Sequence, residues 1–397
     1  MSGQTPPPDQ PPYGRPPYGP PPGYPAYPGQ QQHPAQQYPA PYPGQQPYPA
    51  QASPGQQSWG SIPHVPATRR PSFPHPEPRE YHMMLRTWTY RWWRPAVGIP
   101  LLAIGMIVVL PLVMMPVLVV GVLIQGGEED FLDAFLQAGT LEKLTPAGMA
   151  YLNLTLAAMI LWTWGLIRVL HQMRPRWLSS VVPKLRWTFL LICLGLSVVA
   201  LIASFVVSLL VPTDQAPQST ELNPLNGTTV ALALIVLFTT PLQAAGEEYA
   251  FRGYLMQAVG SLTRSKWVAI LVSATLFAIA HGLQNPPLFF DRFMFGLIAA
   301  WLVVRTGGLE AGIALHVFNN YLAFGLAIAI GDINETLNVS EISWWNIPVT
   351  LTQSLVYVAL VLWVGRKVGL QTRTRPPLPP PPQSPPEQPV RQVADPV

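Results

Sequence analysis

The sequence predicts an all-α polytopic membrane protein with about eight transmembrane helices and disordered Pro-rich N- and C-terminal tails. Composition is the first observation. Of 397 residues, 49% are hydrophobic and 11% charged, against about 25% charged in soluble domains. Distribution is the second: the apolar residues form runs of roughly 18–30, long enough to cross a hydrocarbon core. The third is that the charges between the runs alternate in sign. A β-barrel would show alternating segments of about ten residues and not solid runs.

In chain order, residues 1–80 form a low-complexity tail of Pro, Gln, Gly and Tyr. With almost no aliphatic side chains it cannot offset its ordering entropy, so polyproline II and disorder are expected. It reads as a solvated spacer or as a weak multivalent tail for protein partners. Residues 81–370 are the expected transmembrane domain. Its spans fall near 96–124, 147–170, 187–211, 229–258, 267–284, 289–305, 309–330 and 346–365. Pro100, Pro111 and Pro116 lie in the first, which should be kinked or broken. Residues 371–397 form a second Pro-rich tail.

Loop charge tests this count. Arg79, Arg86, Arg91 and Arg94 precede the first span; Glu128, Glu129, Asp130, Asp133 and Glu142 follow it. Arg174, Arg176, Lys184 and Arg186 make the next loop basic, and the one after holds only Asp214 and Glu221. Arg264 and Lys266 follow span four. The junctions at Asp291–Arg292 and Arg305–Glu310 are neutral, with Asp291 and Arg292 read as an interfacial pair. By the positive-inside rule both termini are cytoplasmic, which requires an even number of spans. The net charge of +4 then reports loops, and no nucleic-acid partner is expected. The single cysteine, Cys193, excludes an intrachain disulfide. No signal peptide is visible, so the first span should serve as the targeting signal. Sequons at Asn226, Asn334 and Asn338 are short enough to arise by chance.

The informative residues are the polar ones inside the spans. Ionised groups at a membrane helix centre cost roughly 2.5–3.5 kcal/mol each, and three occur in one stretch of span four, Glu247, Glu248 and Arg252. Glu248 and Arg252, at i and i+4, can pair. Glu247 points about 100° away and is left without a partner on its own helix, which suits it to acid–base work. Span five carries His281, with Phe277 one turn earlier. Span seven carries His316 and Asn320 on one face, with Asn319 as a competing neighbour. At 1.5 Å per residue, Glu247 and His316 lie about 10–18 Å from the cytoplasmic ends of their helices and His281 about 20 Å. These groups can converge on one cavity opening to that side. Two chemistries fit. Glu247, His281 and His316 can hold Zn2+ or another divalent metal. In a metal-free alternative, Glu247 steered by His281 activates water while His316 and Asn320 stabilise an oxyanion. Either hydrolyses an acyl bond, most simply a peptide bond.

In order, the motifs read EEYAFRG from Glu247, FAIAH from Phe277 to His281, and HVFNN from His316 to Asn320. This set, EExxxR, FxxxH and HxxxN, resembles the CPBP family of type II CAAX prenyl endopeptidases and bacteriocin-processing proteins. Gly253 after the Arg agrees with the family, and the resemblance covers roughly 229–325, the expected catalytic core. It implies a glutamate-dependent intramembrane protease, long described as a metalloprotease, acting on a membrane-associated or lipidated peptide or protein. Glu247 would be the base, Glu248 and Arg252 would brace the site, and His281 would orient water. His316 and Asn320 would bind the oxyanion or, in the metal version, contribute ligands. The tails resemble those of actinobacterial membrane proteins, which places the chain in a bacterial cell membrane and leaves a prenylated substrate unassigned. An ion-coupled transporter and a non-catalytic scaffold are the competing classes. The chain shows no internal repeat of the transporter kind.

Overall fold

The computed structural model describes residues 74–126, 130–141, 145–212, 222–282, 284–330, 339 and 341–375. Both expected tails, apart from their inner edges, lie outside the described residues, as do Asn334 and Asn338. The described residues all belong to one unit, Ala67–Val397, and contain helices and two isolated β-bridges but no strand.

The first span runs as one helical stretch, Trp93–Gln125. It comprises α1 (Trp93–Ile104), a π-helical segment (Gly105–Val109) and α2 (Leu110–Gln125). The expected break is thus a change of helix type. Pro111 has no N–H and its ring would clash with the carbonyl one turn back, so widening the turn ahead of it relieves the contact. A helix missed by the sequence reading, α3 (Phe131–Thr140), follows in the acidic loop and starts on the Asp130 side-chain cap. Then come α4 (Pro146–Ala157), capped by Thr145, and α5 (Met159–Val169). Next are α6 (Trp187–Ser208) and α7 (Gly227–Glu247), the latter opened by a capping box between Asn226 and Thr229. The helix of α7 continues without interruption through a second π segment (Glu248–Leu255) into α8 (Met256–Thr263).

The remaining spans are α9 (Lys266–Ile279), α10 (Pro286–Thr306), α11 (Glu310–Ile330) and α12 (Asn346–Lys367). Among the described residues seven stretches are long and apolar enough to cross a membrane, and α9, with 14 residues, falls below that length. The expected span to residue 284 stops early because Gly282 takes φ +86°, a left-handed conformation that ends a helix. The chain still enters and leaves at one end of the bundle. Arg79 N–H donates to the Thr374 hydroxyl (2.8 Å), and Arg373 pairs with Glu80 (2.8 Å). That matches an even number of traverses, with α9 as the eighth.

These contacts also move the tail boundaries. Residues 74–80 were expected in the tail, yet His75 is buried and its Nε2 lies 2.7 Å from the Met84 carbonyl oxygen. The Arg305–Glu310 junction is not a local neutral pair either. Glu310 is fully buried and bound in fork geometry by Arg186, at 2.6 and 2.9 Å, from the loop before α6.

Small residues set the helix spacing. A Cβ on Gly246 would lie 2.0 Å from the Leu156 carbonyl oxygen, so α4 and α7 touch backbone to backbone. A Cβ on Gly296 would meet the Ala274 Cα at 3.0 Å, which brings α10 against α9. Large apolar side chains such as Ile107, Leu112, Leu123, Phe205 and Phe238 are exposed on the outside, as lipid-facing residues are.

Candidate active site

Polar side chains from four helices meet at mid-bundle beside a cavity of about 360 Å3. Its lining includes Glu247, His281, His316 and Asn320, three motifs brought together as the sequence predicts. It also includes Asn153, Gln243, Arg292 and Asn319, which the sequence reading either passed over or placed outside the site.

Glu248 and Arg252 do not line the cavity. Both are fully buried behind it, joined by a 2.9 Å hydrogen bond from Arg252 Nη1 to Glu248 Oε1. The i,i+4 pairing holds although the backbone here is π-helical and not α-helical. The wider turn leaves carbonyls to be shared: Phe251 O accepts from Met256 N–H and also from the Ser273 hydroxyl of α9 (2.9 Å). Arg252 Nε and Nη2 have no hydrogen-bond partner, but the guanidinium sits 4.0 Å from the Phe277 ring centre. A desolvated cation over an aromatic face gains about 2 kcal/mol. This gives the Phe of FxxxH a role, since its ring carries Arg252 and lies 4.6 Å from His281 and 5.9 Å from His316.

His316 bridges the two glutamates. Its Nδ1 lies 3.0 Å from Glu248 Oε1, and since a carboxylate accepts, that nitrogen carries the proton. Its Nε2 is 3.6 Å from Glu247 Oε2, too long for a hydrogen bond. Glu248 Oε2 lies against Gly312 of α11, where any Cβ would stand 2.7 Å away.

Glu247 does have a partner on its own helix, contrary to expectation, and the partner is an amide. Gln243, one turn earlier, donates to Glu247 Oε1 at 2.7 Å. Asn320 in turn donates to Gln243 Oε1 at 2.9 Å. Asn320 therefore orients Gln243, which orients the glutamate. Glu247 Oε2 remains buried without a partner. The signal for Gln243 was in the sequence: it is a lone amide in an apolar run at i−4 from Glu247. Asn153 of α4 closes the cavity from the other side and donates to Thr239 at 2.8 Å.

His281 lies just past the end of α9, with Nδ1 2.8 Å from the Phe277 carbonyl oxygen. Nδ1 is thus the protonated nitrogen, and the Nε2 lone pair is left over. Among the described residues no three His, Cys, Asp or Glu side chains gather where a metal ion would sit. Glu247, His281 and His316 line one cavity without gathering as a three-ligand set.

Two further expectations change. Arg292 lines the cavity; it acts on Asp291 through its field, but the two form no direct ion pair among the described residues. The cavity also extends toward Leu141, the end of α9 and Phe324. That is the end of the bundle opposite Arg79, Glu80 and Arg373, and not the basic end toward which it was expected to open. Gly253 has no steric necessity in this fold: a Cβ there meets nothing closer than 3.6 Å.

Residues 229–322 match the family model described as type II CAAX prenyl endopeptidase Rce1-like. The chain is 28% identical over 150 residues to the uncharacterized protein YyaK of Bacillus subtilis (strain 168), covering 35% of this chain and 49% of that protein. The match thus spans about half the length of that relative. No solved structure matches. The matched residues contain all three motifs and most of the cavity wall, so over this segment the chain is similar to the Rce1-like type II CAAX prenyl endopeptidases.

Proposed function

We propose that the chain is an intramembrane endopeptidase in which Glu247 activates the hydrolytic water. One observation carries the reading. Glu247 has one oxygen held by Gln243 and the other buried, unpartnered and 3.6 Å from His316 Nε2 beside the cavity. A water between Glu247 Oε2 and His316 Nε2 reaches both. Glu247 takes its proton as the water oxygen bonds to the peptide carbonyl carbon. The carbonyl oxygen becomes an oxyanion, for which the second amide hydrogen of Asn320 is an available donor. When the C–N bond breaks, Glu247 returns the proton to the leaving amine. His281 lines the same cavity and helps to hold the water in line with the carbonyl carbon. Glu248, Arg252 and Phe277 hold His316 in place and touch no substrate.

The substrate in this reading is a membrane-associated or lipidated peptide or protein reaching the site from the bilayer. Both ends of the bundle domain are placed in the cytoplasm on loop charge. The paired Arg79 and Thr374 support one side for both. The family and the cavity favour hydrolysis over transport or a scaffold role.

The test is the membrane proteome of cells carrying Glu247→Gln in the full chain. One or more membrane proteins should accumulate unprocessed, and purified wild-type protein should cleave them with or without chelator. Identical processing in wild type and variant would sink the enzyme reading. Loss of cleavage in chelator, restored by Zn2+, would replace the metal-free chemistry with metal-assisted chemistry.

A further inference from the structure

The bundle holds two arginines at the level of the site, and their surroundings differ. Arg252 has a carboxylate and an aromatic ring. Arg292, in the second turn of α10, has only the field of the neighbouring Asp291: it makes no ion pair, hydrogen bond or ring contact among the described residues, and its Nε is buried without a partner. Asp291 shares a small adjoining cavity with Thr350, Gln353 and Ser354, and forms no ion pair with Arg292. Ionisable groups turned toward the interior of a membrane bundle are retained where they meet a partner. Arg292 lines both cavities, as does Asn319, whose amide likewise has no hydrogen bond among the described residues.

We propose that Arg292, assisted by Asn319, binds a carboxylate of the substrate and so selects peptides bearing one next to the cleaved bond. Guanidinium offers parallel N–H groups that match a carboxylate in fork geometry, and an amide N–H beside it adds a third donor. A cavity of about 360 Å3 is the size of a small-ligand site, so an anion docked at Arg292 is within a short peptide's reach of Glu247. The carboxylate has two sources in a peptide, the C-terminal α-carboxylate or an Asp or Glu side chain. The inference rests on the peptidase reading above.

The test reads binding apart from cleavage. Full-length Glu247→Gln protein in lipid nanodiscs is offered a pool of mixed short peptides in three forms. One has a free C-terminal acid, one a C-terminal amide with an acidic side chain, and one an amide with no acid. Native mass spectrometry reads what is retained. One acidic form should be retained about ten- to hundredfold over the neutral form, the range of a charge-assisted contact, and which form it is identifies the source. Adding Arg292→Gln should collapse that ratio to near one, and Arg292→Lys should reduce it several-fold with the charge kept. Thermal melting checks that each variant is folded, and the Lys variant decides if the Gln variant is not. Equal retention of all three forms, no retention, or a preference that survives Arg292→Gln overturns the proposal. Acid preference without cleavage of the pool by wild type would sink the peptidase reading and keep the clamp. Cleavage without preference would do the reverse.

Discussion

The described residues contain two π-helical segments, Gly105–Val109 and Glu248–Leu255, and they arise from different causes. The first is apolar and half exposed, with Ile107 at 70%, and a proline follows two residues later. Its irregularity is local: a ring that cannot accept the carbonyl beneath it. The second has no proline within it, and every one of its eight residues is buried. Its irregularity is tertiary, held by the Glu248–Arg252 pair, the Phe277 ring and the Ser273 hydroxyl on Phe251 O. π segments are frequent at functional sites, but backbone geometry alone would have nominated both. Burial with charge separates them.

Breaking the second segment should be costly. Arg252→Leu leaves Glu248 buried with only His316 beside it, and should lower stability by about 3–5 kcal/mol in denaturant unfolding of the detergent-solubilised protein. Adding Glu248→Gln should restore part of the loss, because no charge is then stranded. A full-sized loss in the double variant would show that the pair itself, and not the stranded charge, sets the cost.

Next in size is the approach of α7 to α4. Gly246→Ala places a Cβ 2.0 Å from Leu156 O and should cost about 1–3 kcal/mol with a matching fall in activity. Gly253→Ala, inside the second segment but uncrowded, should change stability by less than about 0.5 kcal/mol. Equal effects would mean that the helix spacing is not set at Gly246.

A pH scan separates the segments further. Tyr254 of the second segment is hydrogen bonded to His171 (3.0 Å), which lies in the connection after α5. Burial pushes the His171 pKa down from 6.5 to about 4, with the positive field of Arg94 adding to it. The folded state therefore binds the proton less well than the unfolded chain. The stabilisation is complete above about pH 6.5 and is lost as pH falls toward 4. The melting temperature should fall across that window, and His171→Asn should flatten part of the slope. An unchanged slope would remove His171 from the account. The smallest effect is expected at the first segment. Pro111→Ala should let the turn tighten and shift stability by about 1 kcal/mol or less, with activity kept.

Much of this was legible in the sequence because it rests on periodicity and spacing. Apolar run length gave the spans, and i,i+4 spacing gave Glu248 with Arg252 and His316 with Asn320. The rest depends on contacts between distant elements. Arg186 on Glu310 crosses 124 residues, and Arg292 enters the cavity only because α10 turns that face toward α11. Helix α3 was hidden by its charges, and residues 74–80 by a Pro-rich composition that reads as tail until His75 is seen to be buried. Gln243 was within reach of the spacing argument. It carries no charge, so charge pairing alone does not mark it as the partner of Glu247.

The shortness of α9 bears on how water gets in. Fourteen residues span about 21 Å, against a hydrocarbon thickness of about 30 Å. Its C-terminal end, where Ala280 and His281 meet the cavity, therefore stops short of where a full-length helix would reach the headgroups. A bilayer meets such a mismatch by thinning. Beside α9 the polar surface of the membrane should dip toward His281. A reaction that consumes water inside the hydrocarbon layer would then draw it through a local depression of the lipid, with no need for a channel through the protein.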